Sequence, residues 1–479
     1  MVIKQKGGKV IDSGGFGCVF KPALKCEKAV NECNRNKISK LMTAKHAKDE
    51  YNQIDQYTHI LNTIPNYEKY FLVNNVELCK PDKLTTPDLN DYNKKCKALT
   101  KKGFSSKTVN NSLDQLMIIN MPNGGINVEN FVQINLHLGK NNFTAIDNII
   151  KLNTTLINLL VNGIIPMNKL NIYHCDIKDG NVLVDNLNIN LSTRLIDWGL
   201  SIITKKNQHG IPRKLYRRPF QYNVPFSSIL FNNVFIELYN NFLDLNTKPD
   251  YFQIREFVVN YIFIWNDIRG SGHLSAINDI IKKLTIKDIS SVKKKNIQEH
   301  LIEYEFTYYY IVEYLSKILE KYTNNGRLTL MTYFENIFLK NIDIWGFVTI
   351  YICLYEYLYE SFDELNEYQM EFITKIKYII IHFLYESPIT PIDTASLVNE
   401  LTSLNKIIGK FSMDHLSRKL EYVSTIKGSI REGGFLANSK SQTKDTKTKT
   451  KTKTKTKTKT KTKTKTKTKT KTKTKKNRR

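Results

Sequence analysis

Residues 173–181 read Tyr-His-Cys-Asp-Ile-Lys-Asp-Gly-Asn and run directly into the apolar, strand-like Val182-Leu183-Val184. One hairpin length further on stands Leu195-Ile196-Asp197-Trp198-Gly199-Leu200. No other pattern in the chain constrains its fold as much, because a hairpin brings the polar residues that flank it to one edge of its sheet. Asp176, Asn181 and Asp197 are therefore expected to meet. Singly, each reads as a solvated turn residue; together, at these spacings, they read as a site.

The residue types suit one chemistry. Mg²⁺ binds through one or two carboxylate or amide oxygens plus the phosphates of a substrate, a role that fits Asn181 and Asp197. Asp176 is then free to position or deprotonate a hydroxyl, and Lys178 to neutralise charge on a phosphoryl group in transfer. Near the N-terminus, Val10-Ile11-Asp12-Ser13-Gly14-Gly15-Phe16-Gly17-Cys18-Val19-Phe20 places glycines inside a strand, turn, strand pattern. There the backbone can fold closely over a phosphate chain, although a plain Gly-rich hairpin has the same local pattern.

Three regimes follow one another along the chain. Residues 1–125 hold the Gly-rich turn and short apolar runs such as Gln115–Asn120, which ends in the turn signal Met-Pro-Asn-Gly-Gly; this reads as a small strand-rich lobe. Residues 126–436 carry apolar residues at three- and four-residue spacing, as in 152–164 and 301–322, and read as a larger helical lobe. From 437 the chain is polar and then alternates Lys and Thr, offering no apolar face and repelling itself. The expected fold class is α+β, with a disordered tail at 437–479.

The tail also explains the charge. Of the net +27, residues 440–479 carry +19, through 18 Lys, 2 Arg and 1 Asp. Such a segment would bind nucleic acid or another polyanion without sequence preference and with steep salt dependence; expansion of a short DNA repeat with no selected role is the plainer reading. The seven cysteines show no CxxC pair and no disulfide-like framework, so a reducing compartment is expected. Without that spacing, zinc at Cys26, Cys33, Cys79 and Cys96 is the lesser reading. The N-terminus lacks the apolar stretch of a signal peptide, and segments such as Ile376–Tyr385 are too short and interrupted to span a bilayer, so a soluble intracellular protein without membrane contact is expected.

Taken together, the motifs resemble those of eukaryotic-type protein kinases: a Gly-rich loop, an H-x-D-x-K-x-x-N catalytic loop and a D-x-G metal motif. The resemblance implies a two-lobed fold with ATP and Mg²⁺, Asp176 as catalytic base, Lys178 as phosphate contact, and Asn181 and Asp197 as metal ligands. Lys178 also favours Ser or Thr of a protein as acceptor. By order along the chain it implies an ATP-binding set: Ile11, Asp12, Ser13, Gly14, Gly15, Phe16, Gly17 and Val19 in the loop, a strand-three Lys40 with its partner Glu50, and a hinge at Asn120, Met121 and Pro122. Asn341–Phe347 resembles the Asp-x-Trp start of the central helix of the large lobe, whose Asp343 would anchor the catalytic-loop backbone. The activation segment would run from Asp197 to about Pro225, followed by a helical insertion at about 226–342. That insertion, the stretch Arg217–Ser227 and the abundance of Asn, Lys, Ile and Tyr resemble the kinases of large DNA viruses of the mimivirus kind, which implies host cytoplasm or virion as location.

The departures from the pattern are specific. Asp12 stands where the first loop glycine is expected. Cys175 replaces the Arg that would pair with a phosphorylated activation segment, which implies activity not gated by such a phosphate. Trp198 replaces Phe in a packing role. Pro122 would remove one N–H from the hinge, a loss of about 1 kcal/mol. Val224-Pro225-Phe226 replaces A-P-E, and the Arg that would pair with its Glu is missing as well. Two other readings remain open: a pseudokinase scaffold, and a small-molecule phosphotransferase of the aminoglycoside-kinase type.

Overall fold

Alternating residues in the first lobe do form strands. The computed structural model describes residues 8–28, 36–139, 142–185, 191–205, 210–285, 288, 291–359 and 365–412, all within one compact unit, Met1–Lys419. The tail at 437–479 and Cys33 lie outside the described residues. Five strands, β1 (Lys9–Ser13), β2 (Gly17–Lys21), β3 (Lys37–Thr43), β4 (Glu77–Cys79) and β5 (Leu116–Pro122), make one antiparallel sheet in the order β1-β2-β3-β5-β4. Period two along β3 divides its side chains between two faces. Leu41 packs with Val10, Cys18, Phe20 and Ile118, while Met42 packs with Ala47 and Ile119.

Residues 80–115, expected as part of a strand-rich lobe, instead form short helices at Thr86–Leu89, Tyr92–Lys95 and Lys97–Thr100, followed by 3-10 turns. Local capping starts the first: the carboxylate of Asp88 accepts from the N–H and hydroxyl of Thr85. Leu84, Tyr92, Cys96, Leu99 and Val109 bury this insert against the Phe20 face of the sheet.

Two disulfides are present: Cys18–Cys96 ties β2 to the insert, and Cys26–Cys79 ties the segment after β2 to β4, which corrects the expectation of unpaired thiols. Separations of 78 and 53 residues carry no local signature; pairing becomes visible only once β2 lies beside the insert. Cysteine usage therefore gives no argument for a reducing compartment. Cys26, Cys79 and Glu77 lie close together, but bonded sulfurs cannot act as thiolate ligands, which removes the zinc reading for these residues.

The second part is helical around one large apolar core. Small sheets mark its upper edge: β6 (Ile126–Asn127), β8 (Val182–Asp185) and β9 (Ser192–Leu195) in one, β7 (Ile172–Tyr173) and β10 (Ile202–Ile203) in another. The segment read as an insertion is helical, including Asn233–Leu245, Tyr251–Arg269, Gly272–Thr285 and Tyr309–Tyr322. It shares the same core, with the Phe231 ring edge-on to Phe334 and Phe338. The architecture is thus mixed α+β, a small β-rich N-terminal sheet with a large helical C-terminal part.

Two helical stretches, Phe143–Lys169 and Leu330–Glu356, are long and apolar enough to cross a membrane, contrary to the reading of the apolar segments as too short. The apolar window of the second is 94% buried inside the protein and that of the first 44%. Both supply core residues, among them Leu152, Leu156, Trp345 and Phe347, so their apolarity serves packing and gives no clear sign of membrane association.

Candidate functional site

A hairpin does follow Asn181 and precede Asp197. β8 and β9 pair from Val182 opposite Leu195 to Asp185 opposite Ser192, and the N–H of Ile196 donates to Asn181 O at 3.0 Å. Asn181 and Asp197 thus sit at one end of the ladder. The Asn181 amide nitrogen donates to Asp176 O at 2.7 Å and to Asp176 Oδ2 at 2.9 Å, which leaves its Oδ1 as the atom for a cation. Asp197 is exposed and adopts a left-handed φ of 65°.

Asp176 is buried, with Lys178 Nζ 3.1 Å from its Oδ2 and Asn223 Nδ2 donating to its Oδ1 at 2.9 Å. Burial pushes its carboxyl up, but the Lys178 ammonium and the Asn223 hydrogen bond outweigh burial and hold it below the ordinary carboxylate value. It is ionised at neutral pH and so able to accept a proton.

The loop that carries Asp176 is fixed from below. Asp343, fully buried on the helix Leu339–Thr349, accepts from the N–H groups of His174 and Cys175, both at 2.8 Å, and from Asn168 Nδ2 at 2.7 Å. Three residues on, a Cβ at Gly346 would lie 2.6 Å from Ile177 O, so only glycine lets this helix approach the loop so closely. Trp345 Nε1 donates to Tyr222 O at 2.8 Å.

His174 lies at the edge of a ring cluster centred on Trp198. Its Nε2 donates to Ile196 O at 2.9 Å and its Nδ1 is buried without a partner. Burial drives its pKa down despite the carboxylates around it, so the ring is neutral. The Trp198 ring meets His174 at 5.1 Å, Phe71 at 5.7 Å and Tyr57 at 5.4 Å, and the Tyr57 hydroxyl donates to Ser201 O. Trp198 therefore packs the turn after Asp197 onto the helix Ala44–Leu61.

That helix also carries Glu50. Lys40 Nζ lies 2.8 Å from both Glu50 oxygens, with the two side chains 16% and 15% exposed. Lys40 pairs with Val19 of the Gly-rich hairpin on one side and Ile119 on the other. Sequence order alone brought Lys40 and Glu50 to notice, and the fold brings them into bidentate contact. In the hairpin, Gly14 and Gly15 border open space, Ile11 and Phe16 are exposed, and Gly17 abuts Leu41 O so closely that no side chain fits. Ser13 is half-buried and Val19 faces Lys40 across the ladder. Asp12 is exposed, beside an irregularity in the β1 and β2 register, and accepts from the N–H of Ser13.

The stretch read as a hinge differs in detail. Asn120, Met121 and Pro122 are ladder residues of β5, opposite Ser39, Ile38 and Lys37. The Asn120 side chain is buried, accepting from Ser39 Oγ at 2.5 Å. The chain crosses to the second part through Asn123–Gly125. There Gly125, at φ 103°, comes so near Val184 O that a Cβ would lie 2.0 Å from it.

Several residues went unassigned by the sequence reading. Lys214, Arg218 and Asn223, from the segment after Asp197, all contact elements around Asp176 or the helix Ala44–Leu61. The absence of Arg at 175 was the available signal for a compensating cation elsewhere. Likewise, where the resemblance expects an ion-paired Glu, Phe226 is buried among the rings of Tyr385, Trp345 and Tyr314 at 5.2–5.5 Å.

A scan against protein-family models finds no family that matches the chain, and a search of curated proteins finds no relative.

Proposed function

We propose that this chain is a protein kinase of the two-lobed kind, transferring the γ-phosphoryl group of ATP to Ser or Thr hydroxyls of a protein. The observation that carries this reading is the pairing of Lys40 with both oxygens of Glu50 beneath the Gly-rich hairpin, on the same chain as the Asp176, Lys178 and Asn181 loop. Lys40, held by Glu50, presents an ammonium group to the donor's phosphates. Asp176, kept ionised, accepts the proton of the attacking hydroxyl, a step worth roughly 10²–10⁴ in rate. Lys178 neutralises charge that develops on the transferring group. Asn181 Oδ1 and the Asp197 carboxylate have the hard oxygen chemistry that Mg²⁺ takes, and the ion would supply charge neutralisation between phosphates.

Titration of the protein with ATP, with and without Mg²⁺, followed by turnover on a panel of protein and aminoglycoside acceptors, tests this proposal. Asp197→Ala should abolish Mg²⁺-dependent turnover while the fold survives, because an exposed side chain contributes little to the core and an alanine at φ 65° costs only about 1 kcal/mol. Near-native turnover in that variant overturns the metal assignment. Nucleotide binding without turnover would favour a scaffold, and transfer to aminoglycosides alone would favour the small-molecule reading.

A further inference from the structure

Residues 210–225, the described part of the chain leading up to Pro225, are tied down by their own cations. Lys214, half-buried, donates from Nζ to Ser201 O at 2.9 Å and to Gln53 Oε1 of the helix Ala44–Leu61 at 3.1 Å. Arg218 is only 5% exposed. Its Nη1 donates to Cys175 O at 2.5 Å, its Nε and Nη2 to Gln221 Oε1 at 3.1 and 2.6 Å, and Nη2 lies 3.8 Å from Asp176 Oδ1. Asn223 completes the contact, donating to Asp176 Oδ1 and to Ile177 O.

The backbone on both sides of this contact is held in an uncommon conformation. Cys175 and Arg217 have left-handed φ values of 62° and 61°, a region that costs a non-glycine residue about 1–2 kcal/mol. Arg217 is fastened by its N–H to Phe231 O and by the guanidinium of Arg269 on its carbonyl. Burying a guanidinium is itself unfavourable unless its donors are satisfied and a carboxylate lies near. Both conditions hold for Arg218, and the planar fork that reaches a carbonyl, an amide and a carboxylate at once is one that lysine cannot reproduce.

We infer that Arg218 is a positioning residue for Asp176, locking the activation segment onto the catalytic loop from within the chain so that no phosphate on the segment is required. The inference rests on the proposed phosphotransfer. It also gives Cys175 a physical sense: the cation that would reach out from 175 to a phosphate is replaced by one that reaches in from 218 to the carbonyl of 175.

The test is steady-state phosphotransfer by the full chain carrying Arg218→Ala or Arg218→Lys, with melting temperatures measured in parallel. Displacing the base by about 1 Å can cost about 100-fold. Arg218→Ala should therefore lose roughly 10- to 100-fold in kcat, with KM for ATP little changed. The acid limb of its kcat/KM profile should move to higher pH as a cation near Asp176 is lost. Low concentrations of guanidinium chloride should restore part of the rate, and Arg218→Lys should fall between the two. Phosphatase treatment should leave the native rate intact. Native kcat and pH profile in Arg218→Ala, a loss that tracks melting and resists guanidinium, or a native enzyme that needs its phosphate would each overturn the inference. A native chain without any turnover overturns the functional reading, and this inference with it.

Discussion

Removing the Cys18–Cys96 bond should loosen the first lobe by an amount that chain statistics can estimate. The two disulfides are nested, Cys26–Cys79 inside Cys18–Cys96. With the inner bond closed, the outer one constrains only the short arms 18–26 and 79–96, an effective loop on the order of 25 residues. The entropic contribution of such a loop is about 3–4 kcal/mol, against about 4–5 for the full separation of 78 residues if the inner bond were absent. Cys18→Ala with Cys96→Ala should accordingly lower the melting temperature by roughly 4 °C, since a unit of about 400 residues unfolds with an entropy of about 0.8 kcal/mol/K and both side chains are buried in the core under Phe20. Differential scanning calorimetry of the native chain with and without a dithiol reductant, alongside the double variant, measures this. Thiol titration of the denatured chain gives an independent count: four of the seven cysteines should be silent until reduced. Seven reactive thiols before reduction, or a melting temperature indifferent to reductant, refutes the reasoning.

Gly346→Ala places a methyl group 2.6 Å from Ile177 O, an overpacking that should cost about 1–3 kcal/mol and lower kcat by displacing the catalytic loop; calorimetry and rate measured together check both effects. Stability should fall as pH drops below 6.5, because burial holds the folded-state pKa of His174 under that value and the unfolded chain takes up the proton first. This contribution is complete above pH 6.5, has a slope of at most about 1.4 kcal/mol per pH unit, and should be missing from urea titrations of His174→Phe.

What the sequence made legible was local. Asp176 and Asn181 lie five residues apart and are joined by a hydrogen bond, and one hairpin sets Asn181 and Asp197 at the same end of its ladder, so spacing alone made this much legible. Lys40 and Glu50 sit on adjacent elements, β3 and the helix that follows it, and order was enough to find them. Asp343 is distant along the chain, yet the Asp-x-Trp pattern marked it. The disulfides and the Arg218 contact were hidden for one reason: each joins segments whose proximity depends on the completed fold, and neither Cys18 nor Arg218 has a local pattern that names its partner. The helical insert at 80–115 did carry a local signal, the capping pair Thr85 and Asp88, which the reading passed over. The continuation of β5 through Pro122 was obscured by the turn chemistry of Pro-Asn-Gly-Gly, which operates one residue later than expected, at the crossing between the two parts.

The measurement that bears most directly on the proposed function is transfer of labelled γ-phosphate from ATP to basic and acidic protein substrates, by the native chain and by Asp176→Asn. The account predicts Mg²⁺-dependent incorporation into Ser or Thr by the native chain and a loss of roughly 10²–10⁴ in rate for the variant, with nucleotide binding retained. Incorporation that is equal in the two proteins, or absent from the native chain, would contradict it.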